Sequence, residues 1–398
     1  MLSSCLPSKA TDVPLPYTAS PWKLLYEDII LFFRVAWSIP GLLFPFSSYQ
    51  RQNLDELAPT PRNMGNAALQ IVLSLLQIVF LVSIPVLFIC MIPALWIGIY
   101  MVGVVWVNKQ TCRVLVNRGS SVLVSNYPEL DAPEHRHEHW IFINGIATGQ
   151  KWLQMNIDRL GLTFGRKVTG VQNPTAGLVF DIIQCMIQRA FSYPTDDVRK
   201  AYSVIRAALL NSKHTKVVLI LHSQGGIEGG LIADWLLDEI PQDLLRKLEI
   251  YTFANGANHF NNPYRVDTDA HANDGESTPT LSRLPSIESD STILHIEHYA
   301  NSQDLVSLWG VLNFTSVLNR YNGQVFVRPG TGHLLNQHYL NNMFTLGSDG
   351  KVLDSNPFME MEIEVPDSAE EGSKGPSKRV RVKDVSRLWL YRNGGSPK

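Results

Sequence analysis

Charged residues are scarce in this sequence, and the shortage is concentrated in one segment. Asp, Glu, Lys and Arg make up 18% of the 398 residues, compared with roughly 25% in an average soluble domain. The 43 consecutive residues from Asn66 to Asn108 contain no Asp, Glu, Lys, Arg or His. Apolar residues make up 45% of the chain, enough to bury a core, so the composition excludes a largely disordered protein.

Paired cysteines and a strong net charge are also absent. Cys5, Cys90, Cys112 and Cys185 are scattered and show neither a disulfide framework nor CxxC metal-site spacing, which favours a reducing compartment. The net charge of −2 provides no basic field for phosphate groups, so we expect no nucleic-acid partner.

The uncharged segment 66–108 is typical of membrane sequence. About 20 helical residues cross a hydrocarbon core of roughly 30 Å, so one upright span would need only half of the segment. Pro85 and Pro93 predict a turn between them. Two transmembrane helices and a hairpin buried in one leaflet both fit, since the turn itself is apolar.

Basic residues flank this segment on both sides, and they predict its orientation. They are Arg51 and Arg62 before it, and Lys109, Arg113 and Arg118 after it. Under the positive-inside rule both flanks face the cytoplasm, which predicts an intracellular membrane with the following domain on its cytoplasmic side. The first 20 residues lack the apolar core of a signal peptide. The glycosylation triplet at Asn313 is the one feature that favours the lumen.

Residues 1–65 form an N-terminal segment with an amphipathic stretch from Trp22 to Trp37. Few charges and aromatic residues at both ends predict an interfacial helix. A core helix of the soluble domain is the alternative, because Arg34 lies deep within the apolar run.

The soluble part, residues 112–345, alternates between strand and helix patterns. Short apolar runs predict strands at 139–144, 167–171, 216–221, 249–253, 293–297 and 324–327. This alternation predicts an α/β fold with a mostly parallel central sheet. Residues 265–291 are polar and predict a disordered insertion, and residues 346–398 predict a partly disordered C-terminal extension.

A nucleophile-elbow pattern follows the most apolar predicted strand. Ser223 lies between His222 and the Gln224-Gly225-Gly226 run, where a helix is expected to begin. A serine on such a tight turn projects its hydroxyl above the sheet, and its neighbours must be small. Leu221 occupies the upstream position where a small residue is usual, so the pattern is incomplete. A serine that merely caps the helix is the alternative.

Two further residues complete a serine-activating set in the chain order Ser, Asp, His. Asp304 follows a predicted strand, and His333 lies on a glycine-rich loop after the last one. An activated serine needs such a base and an acid that orients it. Asp304 has the alternative role of a helix N-cap, and His338, one turn further on, is the alternative base.

These segments resemble the α/β-hydrolase superfamily, and in particular the fungal-type (class 3) lipases. The similarity covers roughly residues 139–345 and includes Phe142–Ile146, Thr252–Phe260 and Asn301–Val306. It implies a fold of that type, with Ser223, Asp304 and His333 as the catalytic triad and the backbone N–H groups of Ile146 and Gln224 as the oxyanion hole. Ile146 departs from the family, which usually has Ser or Thr there.

The sequence therefore predicts a membrane-anchored serine hydrolase that cleaves a carboxylic ester of a hydrophobic substrate through an acyl-enzyme on Ser223. An acyltransferase or tailoring enzyme with the same triad and a catalytically silent interaction protein are the alternatives. The partners expected are the lipid bilayer and the ester. Because His135, His137 and His139 lack the HExxH spacing, we expect no metal, and we expect no cofactor.

Overall fold

The computed structural model describes residues 19–45, 54–128, 132–263, 291–317, 320–366 and 377–397. The predicted disordered insertion, residues 265–291, therefore lies outside the described residues except for Ser291. Residues 1–18, and residues 367–376 of the predicted C-terminal extension, also lie outside them. The chain is an α/β protein built on a seven-stranded, mostly parallel sheet.

The strands of this sheet lie in the order β1-β3-β2-β4-β5-β6-β7. Only β1 is antiparallel to its neighbour, β3, and every other pair is parallel. Their bounds are β1 Val122–Val124, β2 Glu138–Ile143, β3 Val168–Val171, β4 Lys216–His222, β5 Leu248–Phe253, β6 His295–Asn301 and β7 Gln324–Arg328. All six predicted strands are confirmed, and the edge strand β1 is an addition. A separate antiparallel pair consists of β8 Glu362–Pro366 and β9 Ser377–Arg381.

The helices cover both faces of the sheet and continue into the N-terminal region. They are α1 Pro21–Val35, α2 Pro61–Ile89, α3 Ala94–Leu115, α4 Gln150–Phe164, α5 Leu178–Phe191, α6 Asp196–Leu210, α7 Gln224–Glu239, α8 Gln242–Leu245, α9 Leu305–Trp309, α10 Val311–Phe314, α11 Asn341–Met343, α12 Val382–Val385 and α13 Arg387–Leu390. Short 3₁₀ turns lie at Ala36–Leu42, Pro133–His135 and Arg392–Gly394, and a π-helical turn lies at Leu335–Leu340.

Alternating side chains of the buried strands build two cores, one on each face of the sheet. On β2, Trp140 and Phe142 face the core that α4 closes, whereas Ile141 and Ile143 face the core that α6 and α7 close. A strand places successive side chains on opposite faces, so strands covered on both sides are apolar throughout. The first core also takes in residues beyond 345, including Phe358, Trp389 and Tyr391.

Helices α2 and α3 form an antiparallel hairpin whose connection is residues 90–93. The Ser83 and Tyr100 hydroxyls are 2.9 Å apart, and the Gln77 amide donates to Asn108 Oδ1 at 3.1 Å. Pro93 lies in the turn as the sequence predicts, but Pro85 lies inside α2. Among the described helices, α2 alone is long and apolar enough to cross a membrane by length and composition, and 17% of its most apolar stretch is buried.

Candidate active site

Ser223 lies on the tight turn between β4 and α7, in a backbone conformation that residues with a side chain rarely adopt. Its φ is 59° and its ψ is −118°. Such strain persists only where the surroundings enforce it. Glycines leave the required space: a Cβ on Gly145 would lie 2.5 Å from Ser223 Cβ, and a Cβ on Gly225 would lie 2.5 Å from the Ile143 carbonyl oxygen.

Leu221, the departure from the elbow pattern, is accommodated by a glycine on the helix. A Cβ on Gly229 would lie 2.1 Å from Leu221 Cδ1, so the leucine occupies the space that a larger helical residue would need. The close approach of strand and helix requires one small partner. Here the small residue is on α7 instead of β4.

The three residues that the sequence singles out as nucleophile, base and acid come together. His333 Nε2 lies 3.0 Å from Ser223 Oγ. His333 Nδ1 lies 3.1 Å from both carboxylate oxygens of Asp304. This arrangement lets the imidazole accept the serine proton on one nitrogen while the carboxylate fixes the N–H on the other.

Asp304 is fully buried and caps α9 while it contacts His333, so the N-cap and the position expected of the acid are compatible. Its carboxylate accepts hydrogen bonds from the Val306 backbone N–H at 3.1 Å and from the hydroxyls of Ser307 and Tyr339 at 3.2 and 2.7 Å. Burial alone would raise the pKa of Asp304, but the His333 ring and the hydrogen bonds from His333 and Tyr339 hold that pKa below its ordinary value. The acid is therefore kept ionised.

His338 lies close to the loop that carries His333, but both of its ring nitrogens form hydrogen bonds with other groups. Nδ1 accepts from the Leu334 backbone N–H at 3.1 Å, and Nε2 donates to the Pro45 carbonyl at 3.0 Å. Burial lowers the pKa of His338 to about 4. The geometry thus favours His333 over His338 as the base.

His222 supports the loop that carries His333. Its Nε2 donates to the His333 carbonyl at 2.9 Å, and the two rings lie 4.9 Å apart. Burial and the neighbouring His333 lower the pKa of His222 to about 3. A neutral ring here adds no repulsion when His333 takes up a proton. No local sequence pattern indicates this contact, although His222 adjoins Ser223 in the chain.

The predicted oxyanion groups lie on two elements that meet at the elbow. Gln224 is the first residue of α7, so its backbone N–H has no partner within the helix. Ile146 follows Gly145, which approaches Ser223 closely, and within the described part of the chain its N–H has no acceptor. The Gln224 side chain is fixed by Asn173 and Gln188 at 2.8 and 2.9 Å.

Asp181 at the start of α5 holds the loop that presents Ile146. It accepts the Ala147 N–H at 2.9 Å, the Ala176 N–H at 2.7 Å and the Thr175 hydroxyl at 2.5 Å. Ala147 itself has a φ of 53°. Burial raises the pKa of Asp181 to about 6. Nothing in the local sequence identifies Asp181, because its partners lie 5 to 34 residues away.

Residues 41–45, which we call the strap, run along the histidine loop. The backbone N–H groups of Gly332 and His333 donate to the carbonyls of Gly41 and Leu42 at 2.9 and 3.2 Å. The Thr331 hydroxyl donates to the Phe44 carbonyl at 3.0 Å. The strap thereby fixes the loop that carries His333 from outside the sheet.

Ser223 and His333 are almost fully covered, at 1% and 9% exposure. An apolar cluster adjoins them. It contains Ile146, which follows Gly145, Ile227 on α7 and Leu305 beside Asp304, together with Leu31, Val35 and Leu42 from α1 and the turn that follows it. Ser223 and His333 are therefore closed off from solvent in this structure.

Across the described residues, no group of three or more His, Cys, Asp or Glu could hold a metal ion. Comparisons of the chain with protein-family models, with curated proteins and with solved structures each found no match.

Proposed function

We propose that this protein is a membrane-anchored serine hydrolase of the α/β-hydrolase type, similar to the class 3 lipases, that cleaves a carboxylic ester with a hydrophobic acyl part. The observation that carries the proposal is the chain of contacts from Ser223 Oγ through both nitrogens of His333 to Asp304. These contacts join residues 110 and 29 positions apart.

The reaction follows from this geometry. His333 Nε2 takes the proton of Ser223 as Oγ attacks the ester carbonyl, and the N–H groups of Ile146 and Gln224 stabilise the oxyanion. The tetrahedral intermediate collapses, the C–O bond of the ester breaks, and the proton on His333 passes to the departing alcohol. Water, deprotonated by His333, then attacks the acyl-serine; the bond to Ser223 Oγ breaks, the proton on His333 returns to Oγ, and the carboxylic acid is released.

Two observations support a hydrophobic acyl group. The apolar cluster of Ile146, Ile227 and Leu305 adjoins the oxyanion loop, the elbow helix and the acid. In addition, the hairpin α2–α3 exposes large apolar side chains and would hold the catalytic domain at a bilayer, where lipid-soluble esters concentrate.

Two departures, Leu221 at the elbow and Ile146 at the oxyanion position, favour the alternative of a catalytically silent scaffold, since a bulky Leu221 could displace Ser223. Gly229 removes that objection, because its missing side chain leaves room for Leu221. The use of a main-chain N–H at Ile146 needs no hydroxyl on that residue.

The proposed location is the cytoplasmic face of an intracellular membrane. The antiparallel hairpin returns Arg62 and Lys109 to the same side, as the positive-inside rule requires for two basic flanks. Protease treatment of sealed microsomes tests the location: digestion of the catalytic domain is expected, and its protection would contradict the cytoplasmic assignment.

A fluorophosphonate probe tests the hydrolase proposal in the membrane fraction. The wild-type chain should be labelled and Ser223→Ala should not. Ser203→Ala, which changes an exposed serine on α6, is the matched control and should be labelled normally. Release of free acid from nitrophenyl esters of increasing chain length would then identify water as the acceptor. A folded wild-type protein that resists the probe would contradict the proposal.

A further inference from the structure

We infer that α1, α5 and the α2–α3 hairpin form one surface that docks into a single leaflet, with the hairpin tip ending near the middle of the bilayer. This inference rests on the membrane attachment within the proposed function, and it does not depend on the chemistry at Ser223.

The base of the hairpin is fixed to the catalytic domain by uncharged amides. Asn63, Gln70 and Gln77 are buried along one side of α2 at intervals of seven residues. Gln70 donates to the Ala147 carbonyl at 3.3 Å, and Gln77 donates to the Ala176 carbonyl at 2.7 Å. Asn108 on α3 reaches the same Ala176 carbonyl at 2.7 Å. At these positions the hairpin is therefore packed against the catalytic domain and not against lipid.

The length beyond this base is too short for two full crossings. From Pro93 to Lys109 the helical rise is about 24 Å, and from Gln77 to Ile92 it is about 22 Å. A tip that had crossed a core of roughly 30 Å would draw the exposed Lys109 and the loop at Ala176 into the hydrocarbon. A tip at the midplane, about 15 Å deep, leaves both in the headgroup region, with Trp106 near the interface.

The tip itself has the chemistry of the bilayer interior. Ile89 and Met91 are 79% and 89% exposed, and the next residue, Ile92, is also exposed. From Ile84 to Val107 the sequence has no charged or amide side chain. The exposed apolar residues lie on all sides of the free part of the hairpin, as lipid requires, whereas a protein partner would cover one face.

Helices α1 and α5 continue this apolar surface beside the hairpin. On α1, the inner face buries Asp28 and Val35, and the outer face exposes Trp22, Tyr26, Ile30 and Phe33; Trp37, in the 3₁₀ turn that follows, is also exposed. On α5, the exposed apolar residues are Ile183, Ile187 and Phe191. Aromatic contacts link the three parts: Trp22 meets Phe191 at 5.2 Å, and Phe80 meets Phe180 at 5.9 Å. An interfacial position for α1 follows from this arrangement.

Cys90, at the tip, allows a direct test, because it is the only exposed cysteine among the described residues. In a background of Cys5→Ser, Cys112→Ala and Cys185→Ala, sealed microsomes are treated with a membrane-impermeant maleimide before and after the lumen is opened. Lys213→Cys, on an exposed loop of the catalytic domain, reports the outer face. We expect Cys90 to react only after detergent solubilisation. Reaction from the lumen would show two full spans, and reaction from the outer face would show a hairpin outside the membrane; either result overturns the inference.

A pair of matched variants tests depth without cysteine replacement. Met91→Lys places a charge at the tip, and Met64→Lys places the same charge at the base of α2, where the methionine is 65% exposed. Flotation with phosphatidylcholine vesicles should show about 100-fold weaker partitioning for Met91→Lys and a change of no more than a few-fold for Met64→Lys. Equal partitioning of the two variants would overturn the inference. Failure of the wild-type chain to float would instead contradict membrane attachment as a whole.

Discussion

Leu221 and Gly229 share one site between β4 and α7: a Cβ on Gly229 would lie 2.1 Å from Leu221 Cδ1. The bulky residue on the strand and the missing side chain on the helix are complementary. The elbow that carries Ser223 therefore keeps its shape with a leucine at a position where small residues are usual.

Gly229→Ala should destabilise the protein by about 1–3 kcal/mol, because overpacking outweighs the better helix propensity of alanine. Denaturant unfolding measures this. The cost should be smaller in a Leu221→Ala background, where the methyl group has room. Gly65→Ala, on the exposed side of α2, is the control, since its added Cβ would meet no atom within 4 Å. Equal costs in both backgrounds would show that the two residues are not coupled.

Ser223, His333 and Asp304 should behave as one unit. Ser223→Ala and His333→Ala should each lower kcat by at least about 10⁴-fold, and the double variant should lose little more. Asp304→Ala should retain roughly 10- to 100-fold more activity than Ser223→Ala, because the nucleophile and base remain. Steady-state ester hydrolysis measures all four. Additive losses would contradict a shared mechanism.

His338→Ala should weaken stability and leave most of the activity. Its loss removes the bonds to Leu334 and Pro45, at a cost of about 1–3 kcal/mol for the buried groups left unpaired. His333→Ala is the comparison and should abolish turnover. Because the pKa of His338 is lowered to about 4, the neutral form is the stabilising one. Its contribution is complete above about pH 6.5 and is lost as the pH falls towards 4. An inactive but stably folded His338→Ala would make His338 the base.

Asp181→Asn should lower kcat about 10- to 100-fold with little change in KM, since the Ile146 N–H is needed mainly in the transition state. An asparagine cannot accept all three hydrogen bonds that reach Asp181. Asp158→Asn, which disturbs a carboxylate that accepts the Asn126 N–H, is the matched control and should keep its kcat. Unchanged kcat in Asp181→Asn would remove its proposed positioning role.

The pH dependence of stability gives a second measurement on Asp181. Its pKa is raised to about 6 by burial, so the protonated form is favoured by folding. The stability that this group contributes is complete below about pH 4 and declines as the pH rises through 6, by about 2–3 kcal/mol. Unfolding of Asp181→Asn between pH 4 and 7 should lack this decline relative to wild type.

Asp28→Ala should cost about 3–5 kcal/mol, because it leaves a buried guanidinium unpaired. Arg189 lies 2.7 Å from Asp28 and stacks 3.8 Å from the Trp309 ring, which fixes α1 to α5 and α9. Glu27→Ala is the matched control: this neighbour belongs to an exposed pair with Lys23 at 3.8 Å and should change stability by less than about 1 kcal/mol. Thermal unfolding measures both losses of stability. Equal losses in the two variants would contradict a stabilising role for the Asp28–Arg189 ion pair.

Local patterns in the sequence were sufficient for the fold class. The runs around Ile141, Leu219 and Ile250 are apolar throughout because each strand is buried on both faces, and this signal needs only neighbouring residues. The uncharged segment and Pro93 likewise predicted the helical hairpin. The positions of Ser223, Asp304 and His333 after β4, β6 and β7 could be predicted, because parallel strands bring their carboxyl ends to one edge of the sheet.

Features that depend on contacts between distant segments of the chain became clear only from the tertiary structure. Nothing near Leu221 in sequence indicates Gly229, which becomes its partner only when α7 packs back on β4. The strap reaches the histidine loop across almost 300 residues of chain, and Asp181 supports the oxyanion loop from another helix. The sequence by itself determined which segments are strands, helices and apolar hairpin, because hydrophobic period and charge are local properties. The hydrogen bonds that fix the base of the hairpin and the low exposure of Ser223 and His333 followed only from the packing, since they depend on which groups the fold brings together.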